Sequence, residues 1–240
     1  MIPSIHLPYR PPLNGGISVE GEQAHYIGRV LRLAPGDAVY LMDGRGSRCR
    51  AVIVSIDRKR VWLEPGGIET LDTESALRIT LVQGMPKGEK MDWIVQKATE
   101  LGVAAIAPVI TERSQVRHAA GAERWRKIAV SAAAQSVRGV LPEIFEPQTL
   151  GAFFRTRDSS ERGILFWEGA ATPLADAING WRRGGNLCAL VGPEGGFSAD
   201  EAGQAMRHGF VPASLGKRIL RAETAAVSVA AILQYALGDM

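Results

Sequence analysis

The chain has 240 residues, 46% hydrophobic and 22% charged, a globular composition that excludes disordered and fibrous classes and suits one large domain or a small one joined to a medium one. No apolar run is long enough to span a bilayer, no basic segment precedes an apolar core within Met1–His6, and Cys49 and Cys188 lie far apart. Neither a membrane span nor a secretory signal nor a disulfide framework is therefore expected, and a reduced, cytoplasmic setting is.

Residues 1 to about 65 read as β-rich. Ala38–Met42 is an apolar strand-like run that ends at Asp43-Gly44, a strong turn signal, and Ser47–Ile56 resumes in extended fashion. Val61-Trp62-Leu63 is a further short strand, stopped by Pro65-Gly66-Gly67, and His25–Arg32 is one helical turn or two. Short strands between Gly and Pro turns suggest a small barrel, an architecture that carries RNA in some proteins and is a plain scaffold in others. The polar stretch from Gly66 to Ser75 reads as the linker, which predicts domains over 1–70 and 75–240.

From Arg78 strands alternate with helices. Ile79–Val82 is a strand, and Met91, Ile94, Val95, Ala98 and Leu101 recur at helical spacing before Gly102, placed where a helix-ending glycine is expected. Val103–Ile110 is the next strand, broken by Pro108. Glu123–Val137 is helical, with Trp125, Ile128, Ala129 and Ala132 on one face. Gly163–Trp167, Leu187–Val191 and Phe210–Leu215 are continuous apolar strands of the kind that a parallel sheet covers on both faces. Ser198 with Glu201 forms a capping box that opens a helix running to about His208. The last helix, about Glu223 to Leu237, is apolar on nearly every side and has to be buried in the core or against a second subunit.

Two turns carry unusual chemistry. Gly192-Pro193-Glu194-Gly195-Gly196 is not a phosphate cradle: no Lys-Ser or Lys-Thr pair follows, the Gly-x-Gly-x-x-Gly spacing is missing, and Glu194 would repel phosphate. It suits a neutral or cationic ligand approached closely by backbone, although from the glycines alone a plain strand-to-helix connection is the better reading. The second turn, Leu215–Thr224, brings Lys217, Arg218 and Arg221 beside Glu223. Those charges are either the solvated end of an apolar helix or a substrate-facing set at a strand's carboxyl end, and spacing does not choose between them. The net charge of +3 says little, but its distribution says more. Six basic residues (Arg113, Arg117, Arg124, Arg126, Lys127, Arg138) lie between Thr111 and Gly139 against Glu112 and Glu123. A second cluster holds Arg45, Arg48 and Arg50, then Arg58-Lys59-Arg60. Clusters in two regions favour a nucleic-acid surface over merely solvated faces.

Val191–Ser198 together with Leu215–Ala225 resembles the signature pair of the SPOUT-superfamily methyltransferases, and more narrowly of the 16S ribosomal RNA uridine-N3 methyltransferases. Gly88–Met91, Gln96–Val103, Thr111–Ser114, His25–Arg32 and Asp43-Gly44 extend the similarity over nearly the whole chain. One block departs: around Ala133–Gly139 the family usually has Glu, Gly and a polar residue where Ala134, Val137 and Gly139 stand, while Gln135 and Arg138 remain. The resemblance implies a PUA-like N-terminal β-barrel, a trefoil-knotted α/β domain with a mostly parallel sheet, a homodimer, and S-adenosylmethionine as cofactor. It implies a cofactor site of Phe166, Trp167, Glu168, Val191, Gly192, Pro193, Glu194, Gly196, Leu215, Gly216, Ile219, Leu220 and Thr224. Arg221, Glu223 and Arg138 become the catalytic candidates, and Arg29, Arg32, Arg45, Arg48, Arg113, Arg117, Gln135 and Arg138 the candidates for holding 16S ribosomal RNA within the small ribosomal subunit. No metal and no membrane partner is implied. The alternatives are another SPOUT enzyme, methylating a ribose 2′-hydroxyl or a tRNA base, and a non-catalytic RNA-binding assembly factor that keeps the fold.

Overall fold

The computed structural model describes residues 2–7, 15–115 and 121–240. The chain divides into two compact units, Met1–Glu74 with Val130–Leu141, and Ser75–Ala129 with Pro142–Met240.

In the first unit the strands are β1 (Ser4–His6), β2 (Ile17–Glu20), β3 (Ala38–Met42), β4 (Ser47–Ile56) and β5 (Arg60–Thr70), hydrogen-bonded in the order β1-β3-β4-β5-β2. Helix α1 (Gly21–His25) continues as a π-helical turn over Tyr26–Val30, within the stretch read as helical. Alternate residues of β3 and β4 (Val39, Leu41; Cys49, Ala51, Ile53) point into one core with Val61 and Leu63 of β5 and Ile5, Ile17, Val19 and Ile27, the period-2 pattern of a sheet with one covered face.

Pro65-Gly66-Gly67 does not stop β5. Ala51 faces Pro65 and Cys49 faces Ile68, so Gly66 and Gly67 together oppose Arg50 in a β-bulge. A Cβ on Gly66 would stand 2.9 Å from the Arg50 carbonyl oxygen, which is why glycine is needed there. The pairing of β5 with β2 ends at Leu63, so no ladder bond is asked of the proline nitrogen on that side. Ile68 to Thr70, read as linker, still pair with Ser47 to Cys49.

The second unit begins with β6 (Leu77–Gly84), α2 (Lys90–Glu100) and β7 (Ala105–Ile110). Helix α2 ends in a Schellman motif: the Val103 N–H donates to the Ala98 carbonyl and the Gly102 N–H to that of Thr99, with Gly102 at φ +77°. Pro108 does not break β7. The Ile106 carbonyl accepts from the Phe145 N–H and the Val109 carbonyl from the Met85 N–H, so even-numbered residues face away from β6. The missing proline N–H therefore falls on the side where β8 (Glu143–Ile144) and β9 (Gln148–Thr149) pair only with Ala105-Ile106 and Val109-Ile110.

Helix α3 (Glu123–Ser136) starts in the second unit and ends in the first. Its end repeats the Schellman bond, the Arg138 N–H donating to the Ala133 carbonyl, but the residue in the left-handed position is Val137, at φ +58°. This is one of the departures from the family pattern, and it explains the usual glycine: a β-branched residue here carries strain of about 1–3 kcal/mol. The segment that follows is stitched to the first unit. The Gly46 N–H donates to the Gly139 carbonyl, the Leu141 N–H to that of Gly44, and the buried Arg138 guanidinium pairs with Glu74 at 2.6 Å.

The remaining elements are α4 (Leu150–Thr156), β10 (Arg162–Phe166), α5 (Leu174–Ala177), β11 (Gly185–Val191), α6 (Ala199–Arg207), β12 (Phe210–Ala213) and α7 (Ala222–Leu237). The sheet runs β12-β10-β11-β6-β7-β8, parallel at each described pairing. Leu187, Ala189 and Val191 of β11 join one core with residues of α2 and α7, and Cys188 and Leu190 join the other with residues of α4 and α6. Both faces are thus covered, each large side chain contributing about 1.5–3 kcal/mol. The capping box at Ser198 and Glu201 is complete, each side chain accepting from the other's backbone N–H. Helix α7 is only partly buried: Ala226, Val229, Ala230, Leu233 and Leu237 face the core, whereas Ile232 is 41% and Tyr235 73% exposed.

His6 on β1 is buried, and neither ring nitrogen has a hydrogen-bond partner among the described residues. Burial lowers its pKa to about 4, with the Asp43 carboxylate opposing only in part. The folded state disfavours the charged ring. Stability is therefore complete above the unfolded pKa of about 6.5 and falls by about 3 kcal/mol in total as pH drops through that value to about 4. Denaturant titrations at stepped pH should show this loss, and His6→Phe should flatten it; an equal loss in the variant would assign the titration to another group.

Candidate active site

Three adjacent strands deliver three turns to one place. β10 ends in Phe166-Trp167-Glu168, β11 in Val191–Gly196, and β12 in Ser214–Leu220. Their carboxyl ends lie side by side in the order β12-β10-β11, as expected of a ligand crevice in an open parallel sheet. The turns, with Ala222 and Ala225 of α7, line a cavity of about 320 Å³, large enough for a cofactor-sized molecule.

The crevice depends on backbone packing. Gly196 has φ +66°, and a Cβ there would collide with the Glu168 carboxylate. A Cβ on Gly84, at the end of β6, would stand 2.5 Å from Pro193 Cδ. Beneath the glycine turn the fully buried Gln83 amide donates to the Gly84 and Gly192 carbonyls at 2.9 and 3.2 Å. From the other side Arg113 Nη1 donates to the Gly195 carbonyl at 2.9 Å, and the Glu112 N–H to Glu201 at 2.8 Å. This ties the Thr111–Ser114 turn to the glycine turn and to α6.

Charge is arranged around Glu194. Its carboxylate accepts from the Lys87 N–H at 3.2 and 3.3 Å and from Lys90 Nζ at 2.7 Å. Burial pushes the Glu194 carboxyl up, but the Lys90 ammonium and the backbone amides outweigh it and hold the group below the usual carboxylate range. Lys90 also stands 3.4 Å from Glu223, and the two carboxylates, Glu194 first, raise its own pKa. The wall from Leu215 to Leu220 carries Lys217 and Arg218 beside apolar groups, and Ile219 is 93% exposed.

Of the residues anticipated for a cofactor, Phe166, Trp167, Glu168, Val191, Gly192, Pro193, Glu194, Gly196, Leu215, Gly216, Ile219 and Leu220 all line this cavity, together with Gly195, Ala213, Ser214, Lys217 and Arg218. Thr224 is exposed in the first turn of α7 and is not among the lining residues. Arg221, exposed at the N-cap of α7, and Glu223 flank the lining residue Ala222. Arg138 lies in the first unit, paired with Glu74, and is not among the residues that line the cavity.

The expected RNA-facing residues also separate. Arg29, Arg32, Arg45 and Gln135 are exposed in the first unit. Arg48 pairs with Glu69 at 2.9 Å and stacks over Tyr40. Arg113 braces the glycine turn, and Arg117 falls outside the described residues. In the same basic stretch Arg124 pairs with Asp92, and Arg126 with Glu146 at 2.9 Å. Lys90 and Gln83 were not anticipated. Lys90 lies in the Gly88–Met91 block, but nothing in its spacing announces a contact with turns more than a hundred positions away.

Residues 73–234 match the family described as an RNA methyltransferase domain, and residues 19–66 that described as an RNA methyltransferase PUA domain. Fold and crevice thus define the class: an RNA methyltransferase domain with a PUA domain before it. The chain is 36% identical to the ribosomal RNA small subunit methyltransferase E of Synechocystis over 217 residues, covering 87% of this chain and 69% of that protein. It is similar to the solved ribosomal RNA small subunit methyltransferase E of Neisseria gonorrhoeae bound to S-adenosyl methionine, at 33% identity, 100% coverage of both chains and a TM-score of 0.92. It is also similar to a Legionella pneumophila methyltransferase solved with its cofactor SAM, at 33% identity, 100% coverage of both and a TM-score of 0.90. The chain belongs to the ribosomal RNA small subunit methyltransferase E family.

Proposed function

We propose that this chain methylates N3 of a uridine in 16S ribosomal RNA, using S-adenosylmethionine. The observation that carries the reading is the meeting of both signature turns, with Phe166–Glu168, in one crevice. Its residues fit the cofactor. Phe166, Leu215, Ile219 and Leu220 supply apolar walls for the adenine, and the Val191–Gly196 backbone supplies close approach where no Cβ fits. Glu168 and Glu194 favour a cationic ligand, and the exposed Ile219 is an apolar side chain left for a ligand to cover. When bound, the cofactor supplies a methyl group on a positively charged sulfur that needs no further activation.

The acceptor does need activation, because its N3 proton must leave and charge must spread onto the flanking carbonyl oxygens. Arg221, exposed at the mouth of the crevice beside Leu220 and Ala222, is the guanidinium assigned to that charge. Glu223, in the first turn of α7, is the carboxylate assigned to accept the proton or to orient Arg221. Arg138, the other candidate read from the sequence, has its guanidinium engaged by Glu74 and is assigned to anchoring residues 130–141. RNA binding is assigned to the first unit, through Arg29, Arg32 and Arg45, and methyl transfer to the second. The working setting is the cytoplasm; among the described residues no helix is long and apolar enough to cross a membrane.

In a strain lacking the gene, mass spectrometry of 16S RNA should show one 3-methyluridine lost and restored by the wild-type chain. Arg221→Ala should fail to restore it while binding S-adenosylmethionine with near-normal affinity by calorimetry; wild-type turnover in that variant would remove Arg221 from catalysis. Gly196→Val should abolish cofactor binding, and unchanged affinity would refute the loop assignment.

A homodimer is part of the same proposal, supported by the outward Ile232 and Tyr235 of α7 and by Trp93 of α2, 42% exposed. Sedimentation should give twice the 25.8 kDa chain mass, and Tyr235→Glu should shift it toward the monomer; a monomeric wild type would rule the dimer out.

A further inference from the structure

Lys90, the first residue of α2, stands between two carboxylates from distant parts of the chain. Its Nζ is 2.7 Å from Glu194 Oε1, in the turn after β11, and 3.4 Å from Glu223 Oε2, in the first turn of α7. Glu223 Oε2 is buried and accepts no hydrogen bond among the described residues. At 3.4 Å the Lys90 contact is an ion pair rather than a well-formed hydrogen bond, and it places the charge that a buried carboxylate oxygen requires. The ammonium is itself held in place: the Lys87 N–H grips the same Glu194 carboxylate, and α2 is anchored by the buried Met91, Ile94 and Val95. Glu194 lines the crevice, whereas Glu223 follows the exposed Arg221 by two positions. One side chain from a third element thus bridges the ligand turn and the turn that faces the acceptor.

We propose that Lys90 is a positioning residue for methyl transfer: its ammonium ties the glycine turn, through Glu194, to the Arg221–Glu223 turn, through Glu223, and so sets the acceptor-facing groups against the crevice. This rests on the function proposed above, and it assigns Lys90 no contact with cofactor or RNA. Its position suits the task better than a surface pair would. Lys90, Glu194 and Glu223 have 36%, 32% and 18% of their side-chain surface exposed, so water competes incompletely for the charges. A misplacement of about 1 Å at the acceptor-facing turn is enough to cost roughly 100-fold in rate.

The test compares Lys90→Met, Lys90→Gln and Lys90→Arg with the wild type, each checked by thermal melting. Calorimetry reads S-adenosylmethionine affinity, and single-turnover methyl transfer to small-subunit RNA reads the chemical step. Lys90→Met and Lys90→Gln should melt as the wild type does and lose about 10- to 100-fold in the chemical step, with RNA KM unchanged. Lys90→Arg, which keeps the charge, should recover to within a few fold. Lys90→Met combined with Glu194→Gln should be no slower than the slower single variant, because both remove the same bridge. Transfer by Lys90→Gln within threefold of wild type, or an equal defect in Lys90→Arg, would overturn the bridge. Should Lys90→Met fail to fold, the Gln and Arg pair decides the matter. A wild type that neither binds the cofactor nor transfers methyl would instead refute the underlying function, and is told apart by that result alone.

Discussion

The crevice depends on close packing at two glycines, one set against the Pro193 ring and backbone and the other, in a left-handed conformation, against a carboxylate side chain. A Cβ at Gly84 would lie 2.5 Å from Pro193 Cδ and 2.7 Å from its nitrogen, and one at Gly196 would collide with the Glu168 carboxylate. These contacts seat the turn after β11 against the end of β6 and against the turn after β10. Parallel pairing of β10 with β11 and β12, and of β11 with β6, brings those strand ends to the same level. Interdigitated cores on both faces, one with α2 and α7 and the other with α4 and α6, keep the strands from sliding. The geometry of the ligand turns is thus set by packing far below them.

Electrostatics completes what packing begins. A glycine turn that carries Glu194 would be poorly placed to hold phosphate, yet its carboxylate is held ionised by Lys90 and the Lys87 amide. Glu168 adds a second acid to the lining, and Lys217 and Arg218 contribute two cations to it. A crevice lined by acids, cations and apolar groups suits a molecule with a cationic centre, an apolar ring and an anionic end. S-adenosylmethionine has that distribution, and the solved relatives from Neisseria gonorrhoeae and Legionella pneumophila hold it.

The basic residues show how differently equal charges are used. Read along the chain, Arg113 to Arg138 form one cluster. In three dimensions Arg113 props a carbonyl of the glycine turn, Arg124 and Arg126 meet carboxylates, and Arg138 is buried against Glu74. The exposed pairs of Arg124 and Arg126 contribute little to stability, but they do neutralise charge that would otherwise face a polyanion. Arg29, Arg32 and Arg45, by contrast, stay exposed on the first unit.

Local physics made much of this legible in the sequence alone. The Ser198–Glu201 capping box, the Gly102 helix end and the continuous apolar strands depend on neighbours within a few positions, and the structure reproduces each. The turns that line the crevice were legible because glycine-rich turns at strand ends follow directly from strand prediction, and because the resemblance singled out both turns. Residues whose meaning lies in a distant partner were not. Pro65-Gly66-Gly67 stops a strand by local rules, but passes through β5 as a bulge because β4 continues alongside and pairs with Pro65 on one side of it and Ile68 on the other. Pro108 breaks a strand by the same rules, but faces the gap between β8 and β9. Helix α7, apolar on nearly every side, is covered on one face only, since the sheet and α2 reach no further around it. The turn of charged residues from Leu215 to Thr224 left two readings open on spacing, and only the tertiary structure brought its first half to the crevice and set Lys90 between Glu194 and Glu223. Sequence determines a turn because its forces act over neighbouring residues; which turns share a site depends on strand order, which is settled only when the whole sheet packs.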